Sequence, residues 1–144
     1  MKVIFDTNVV LDVLLDREPF SISAALLFSK VEKGELSGYL CATTITTIHY
    51  LVRKALGTRD AHKYVGNLLS LFEIAPVSRG VLEEALRSRF DDFEDAVIHE
   101  ASIHAGVEAL VTRDSNGFRR ATIPVYLPDE LLGVLNVSSL GKQD

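Results

Sequence analysis

The sequence predicts a single α/β domain of three layers, with helices on both faces of a mainly parallel sheet of about five strands. Three observations lead there. Strand-like and helix-like segments alternate from end to end, which requires crossover connections and therefore parallel strands. The strand-like segments are short apolar runs without polar alternation, the pattern of strands buried on both faces. No internal repeat, low-complexity stretch or linker divides the 144 residues, which suffice for one sizeable core.

Taken in order, Lys2–Phe5 is an apolar run ending at Asp6 and reads as a buried strand. Phe20–Lys33 carries Ile22, Leu26 and Val31 at roughly helical spacing and is closed by Gly34. Ser37–Cys41 is a second short strand. Thr44–Leu56 is expected to be helical, with Ile45, Ile48, Leu51 and Val52 on one face and Gly57 as its stop. Thr58 then caps a helix in which Tyr64, Val65, Leu68 and Leu69 recur at the right period. Phe72–Val77 reads as the third strand, and Ser78 opens the helix of Val81, Leu82, Ala85 and Leu86. Phe93–Ala105 is helical, with Phe93, Ala96, Val97 and Ala101 as its buried face. Ala109–Thr112 and Ile123–Leu127 are the last strands, and Pro128-Asp129-Glu130 opens a short terminal helix. The domain is expected to span residues 1–137, leaving 138–144 as a loose polar tail.

At 47% hydrophobic and 24% charged residues, the composition is that of an ordinary globular protein. Its single cysteine, Cys41, excludes an intrachain disulfide framework and a cysteine-cluster zinc site. Neither a signal-peptide core nor a membrane-length apolar run is present, so a soluble, cytoplasmic protein without membrane contact is expected. The net charge of −5 argues against nucleic-acid binding through a broad basic face. It leaves open a nuclease whose acids are concentrated in a metal pocket, because bound cations reverse the local sign.

In open α/β sheets, ligands bind beyond the carboxyl ends of the strands, near the point where strand order reverses. Asp6 in Ile4-Phe5-Asp6-Thr7-Asn8 and Asp114 in Val111-Thr112-Arg113-Asp114 occupy such ends. They face one crevice if their strands are neighbours. The third acidic feature, Asp91-Asp92-Phe93-Glu94-Asp95-Ala96, lies at a helix entry, where Ala96 permits close approach to the strand ends. Carboxylates so gathered repel and raise one another's pKa unless cations or donors compensate. An all-oxygen donor set suits Mg2+ or Mn2+. Each acid also has a plainer reading: Asp95 as a helix-entry carboxylate behind a cap at Asp92, Asp6 as the cap of a strand-to-helix turn, and Asp114 as part of the turn Asp114-Ser115-Asn116-Gly117.

These motifs resemble those of the PIN-domain ribonucleases, which include VapC-type toxins of toxin–antitoxin pairs. The resemblance covers nearly the whole chain, through Phe5-Asp6-Thr7-Asn8-Val9-Val10-Leu11-Asp12, Asp92-Phe93-Glu94-Asp95-Ala96, and Val111-Thr112-Arg113-Asp114 with Phe118. It implies the strand order 3-2-1-4-5, Asp6, Asp95 and Asp114 as catalytic metal-binding carboxylates, and Asn8 and Thr112 as polar supporters. It further implies an RNA substrate and an antitoxin partner. One departure matters: Thr47 stands where most active members carry an acid, usually Glu, which bears on whether a second metal binds.

Of the remaining residues, Arg119 and Arg120 lie just beyond Asp114 and are candidate phosphate contacts, while Arg53, Lys54 and Arg59 around Gly57 and Arg113 beside Asp114 read mostly as solvated surface charges. His49, His62, His99 and His104 show no metal-ligand spacing and read as surface or partly buried polar residues, with His99 one turn beyond Asp95. Asp12 and Asp16 read as solvated helix acids. Leu11, Leu14, Leu15 and Phe20 read as core, or as a homodimer face or antitoxin groove. Two further functions compete with the ribonuclease. One is a non-catalytic PIN-like module, disabled by Thr47, that binds RNA or protein. The other is an aspartyl-phosphate enzyme with Asp6 as nucleophile; it lacks the expected acid at Asn8 and a suitable late lysine.

Overall fold

The computed structural model describes residues 1–142, with side chains described as far as Val137. In chain order the elements are β1 (Lys2–Phe5), α1 (Thr7–Leu14), α2 (Phe20–Glu32), β2 (Ser37–Cys41), α3 (Ala42–Leu56), α4 (Thr58–Leu71), β3 (Glu73–Ala75) and α5 (Arg79–Arg87). They continue with α6 (Phe93–His104), β4 (Ala109–Val111), a 3-10 turn (Asn116–Phe118), β5 (Val125–Tyr126) and α7 (Pro128–Lys142). All strand pairings are parallel, in the order β3-β2-β1-β4-β5. The three-layer α/β/α architecture and the 3-2-1-4-5 order are both as expected.

The two-residue period of a strand divides the core into two layers. Val3 and Phe5 of β1, with Ala109 and Val111 of β4, pack against Val9, Val10, Leu27, Ile48, Val52, Leu68 and Leu131, drawn from α1–α4 and α7. Ile4 and Leu110 point the other way, onto Val81, Ala85, Ala96, Val97, Ile98 and Ala101 of α5 and α6. Phe118, 1% exposed, joins this second layer and anchors the 3-10 turn that follows Asp114. Burial of such a ring contributes roughly 1.5–3 kcal/mol.

Several boundaries differ from expectation for local reasons. Only Glu73–Ala75 of Phe72–Val77 is strand. Phe72 is spent closing α4, its N–H donating to the Leu68 carbonyl, and Pro76 has no N–H for the ladder. Likewise the last strand shortens to Val125–Tyr126, between Pro124 and Pro128. Thr58 is not a cap: Gly57 fills that position with φ 99°, a conformation that favours glycine. Phe93 is 49% exposed rather than buried, because the first residue of α6 precedes the stretch that meets the sheet. The terminal helix is longer than expected. Its backbone enters the segment foreseen as a polar tail and is described to Lys142, while residues 143–144 lie outside the described residues. Leu11 is buried, with Leu14 and Leu15 packed on the same core, but Phe20 is 44% exposed.

Candidate active site

Sequence alone left open whether the strands ending at Asp6 and Asp114 are neighbours. They are: Phe5 pairs with Val111, and the Asp6 N–H extends the ladder to the Val111 carbonyl at 2.9 Å. This places Asp6 beside Thr112, both buried, at the carboxyl ends of β1 and β4. The Thr112 hydroxyl donates to Asp6 Oδ2 at 2.7 Å and accepts the Asp114 N–H at 2.9 Å, so one threonine sets both acids. Asp6 Oδ1 accepts the Thr7 N–H at 2.8 Å as the cap of α1. Capping and facing the crevice are therefore compatible uses of one carboxylate. Burial pushes the Asp6 carboxyl above its ordinary range, against the bonds from Thr112 and Thr7; Glu94 and Asp114 push it further up.

Asp95 reaches the same place from the opposite layer. The cap of α6 is Asp92, whose Oδ1 accepts the Asp95 N–H at 3.1 Å, so the side chain of Asp95 is not the cap. Its carboxyl is raised to about 7, first by burial and then by the charges of Asp6, Asp92, Asp114 and Glu94. Asp114 Oδ1 accepts the Gly117 N–H at 3.1 Å, which folds the 3-10 turn back toward α6. A Cβ at Gly117 would stand 2.6 Å from Asp114 Oδ2 and 3.0 Å from Asp95 Oδ2. Both oxygens thus crowd one point that only glycine leaves vacant. Among the described residues no three His, Cys, Asp or Glu side chains are gathered tightly enough to enclose an ion, so the cluster is open. Its chemistry nevertheless fits a hard divalent cation: the donors are oxygens, they repel, and space remains between two of them.

The other predicted residues fall in different places. Among the described residues Asn8 bonds no carboxylate; its Oδ1 accepts the Arg113 N–H at 3.3 Å and steadies the chain between Thr112 and Asp114. Thr47 is half-buried on α3, one turn beyond Thr44, whose hydroxyl accepts from Thr7 at 3.2 Å. That places Thr47 on the face of α3 nearest α1. Arg119 pairs with Asp91 at 2.7 Å on the surface, and Arg120 is exposed. Glu94, exposed on α6, lies near enough to raise both Asp6 and Asp95.

Asp12 is a correction. It is fully buried rather than solvated, its Oδ1 accepting from Arg17 Nε at 2.8 Å and Arg113 Nη2 at 3.1 Å. Arg113 Nε stands 2.7 Å from Asp12 Oδ2 without hydrogen-bond alignment, so that contact is one of charge. The Arg113 guanidinium lies 3.9 Å over the Phe20 ring. Arg113 is therefore fixed, and α1 is tied to the end of β4 directly behind the acids. His99 is buried too: Nε2 accepts the Thr122 N–H at 3.0 Å, leaving Nδ1 as the protonated nitrogen facing Glu100 at 3.3 Å. It fastens α6, which carries Asp95, to the chain leaving the 3-10 turn. Burial lowers its pKa, which keeps it neutral.

A parallel sheet of this order, with acids at the ends of its first and fourth strands and a third on the facing helix, defines a recognisable class. A family model for the PIN domain matches residues 2–116. The chain belongs to the PIN domain family. Its fold is similar to that of FitAcB from Neisseria gonorrhoeae, with 21% identity and a TM-score of 0.68 over 88% of this chain and 97% of that one. VapBC2 from Rickettsia felis, bound to a DNA fragment from its promoter, matches at 15% identity and TM-score 0.65 over 88% and 98%. The Mycobacterium tuberculosis toxin VapC20, which cleaves the Sarcin-Ricin loop, matches at 14% and 0.62 over 75% and 86%. No protein of curated function matches the sequence.

Proposed function

We propose that the chain is a Mg2+- or Mn2+-dependent endoribonuclease and the toxin of a toxin–antitoxin pair, with Asp6, Asp95 and Asp114 as its catalytic, metal-holding residues. The observation that most supports this is the convergence of Asp95 and Asp114 on the space at Gly117, beside Asp6 at the switch point of the sheet. Similarity to FitAcB, VapBC2 and the Sarcin-Ricin loop cleaving VapC20 favours RNA as substrate and an antitoxin as partner. The promoter-bound VapBC2 structure supports an antitoxin partner, and a homodimer is proposed separately. Among the described residues no helix is long and apolar enough to cross a membrane, and a cytoplasmic location is the reading we adopt.

When bound, such an ion polarises a phosphoryl oxygen and acidifies the attacking water. The protein's own part is positioning and proton handling. Thr112 and the Thr7 N–H hold Asp6 in one rotamer, and the Gly117 N–H holds Asp114. In the metal-free chain Asp95 keeps its proton up to about 7, and it must release that proton to hold the ion. Arg119 and Arg120 would meet the RNA backbone. The Arg119–Asp91 pair is a surface contact worth about 0–1 kcal/mol, so a phosphate displaces Asp91 at little cost.

Thr47 favours a second reading, a PIN-like module that binds RNA or protein and cleaves nothing. Titration calorimetry with Mn2+ separates the two. The nuclease predicts saturable binding that Asp114→Asn weakens; absence of binding at millimolar Mn2+ favours the module.

A further inference from the structure

Away from the acids, α3 and α4 bring two imidazoles edge to edge. His49 Nε2 lies 2.8 Å from His62 Nδ1, with ring centroids 4.8 Å apart and planes inclined by 59°. His49 is half-buried and His62 exposed, so water reaches the pair. At that separation one nitrogen donates the single proton between them and the other accepts it. We propose that this pair is a second metal site, a two-imidazole clip for a tetragonal divalent transition ion, Cu2+ first and Ni2+ after it.

Geometry and donor softness both select the ion. With metal–nitrogen bonds of about 2.0–2.1 Å, ligands at a right angle lie about 2.9 Å apart, and tetrahedral ligands about 3.3 Å. The observed 2.8 Å is the separation a right angle needs, so Cu2+ or Ni2+ enters once the rings turn both lone pairs toward it, whereas tetrahedral Zn2+ also requires the nitrogens to part. Cu2+ also leads the affinity order for nitrogen sites, and water completes its coordination. From the neutral pair no proton is lost. The donating ring moves its proton, through solvent, to its other nitrogen, and both facing lone pairs bind the ion. Hard Mg2+ and Mn2+ have no claim on two imidazoles, so the clip and the acidic cluster take different ions. By joining α3 to α4, a bound ion stabilises that hairpin.

The test is titration of the full chain with Cu2+ in excess Mg2+, with electron paramagnetic resonance to count coordinating nitrogens. One ion per chain with two imidazole nitrogens is expected, together with a raised melting temperature. His62→Ala, at an exposed position, should weaken Cu2+ binding on the order of tenfold or more and abolish the melting shift. Asp6→Asn should leave both unchanged. Binding that survives both His62→Ala and His49→Gln, or a spectrum showing one nitrogen or none, overturns the proposal. So does failure of the wild-type chain to bind Cu2+ at micromolar concentration.

Discussion

Asp95 and Gly117 carry the consequences that are sharpest at the level of single residues. The Asp95 carboxyl, at about 7 in the folded chain, stands above its unfolded value of 3.8. A raised carboxyl favours the protonated folded form, so its contribution to stability is full below the unfolded value and is lost as pH rises through about 7. The metal-free protein should therefore lose stability from acid toward neutral pH, and Asp95→Asn should flatten that slope in denaturant melts. The effect is reduced by solvent, because the side chain is only partly buried. Metal binding must displace the same proton, so Mn2+ affinity should rise from about pH 6 to about pH 8. At Gly117, an added methyl group would meet Asp114 Oδ2 at 2.6 Å and Asp95 Oδ2 at 3.0 Å. Gly117→Ala should leave a folded protein, by circular dichroism, whose Mn2+ affinity is lowered on the order of tenfold or more. Unchanged affinity would mean the two oxygens do not share an ion.

Between elements, two buried polar links hold the site in register. Asp12 ties α1 to the end of β4 through Arg113, and His99 ties α6 to the chain beyond the 3-10 turn. Asp12→Ala leaves the Arg113 guanidinium without its buried partner. The expected cost is about 1–3 kcal/mol in denaturant unfolding, because the Arg113 and Arg17 guanidinium groups, 29% and 38% exposed, keep part of their hydration when the buried carboxylate is removed. His99→Ala removes the acceptor for the Thr122 N–H, and an orphaned donor costs about 1–3 kcal/mol. Because Nε2 is that acceptor, His99→Gln, whose amide oxygen can replace it, should recover part of both stability and metal affinity. Equal losses in the two variants would contradict the role given to Nε2.

Across the whole molecule, the sheet was legible because short apolar runs between amphipathic segments have few other solutions. Strand order was not, since nothing in Lys2–Phe5 names Ala109–Val111 as its neighbour; the likeness to a family supplied it. Asp6 and Asp114 could be located by their positions at strand ends, whereas Asp95 needed the resemblance. Asp12 was misread for a physical reason. A lone acid on a helix is ordinarily solvated; Arg17, five residues on, carries no sign of burial, and Arg113 lies 101 residues away in sequence. Gly117 carried no signal beyond that of a turn former, because its role lies in the methyl group it lacks. Thr47 is the position where the whole-chain reading bears on rate. Thr47→Glu supplies the acid that the family resemblance leads one to expect there and should raise cleavage and strengthen Mn2+ binding in the same assay.

Three acids drawn together from the ends of β1 and β4 and from α6 are proposed to cut RNA with a divalent ion. Cleavage of a structured RNA in Mn2+, compared between the wild-type chain and Asp6→Asn, tests it most directly. Cleavage by the wild type that EDTA stops, and none by a folded Asp6→Asn variant, is expected. Equal cleavage by the two proteins, or cleavage that persists in EDTA, would contradict it.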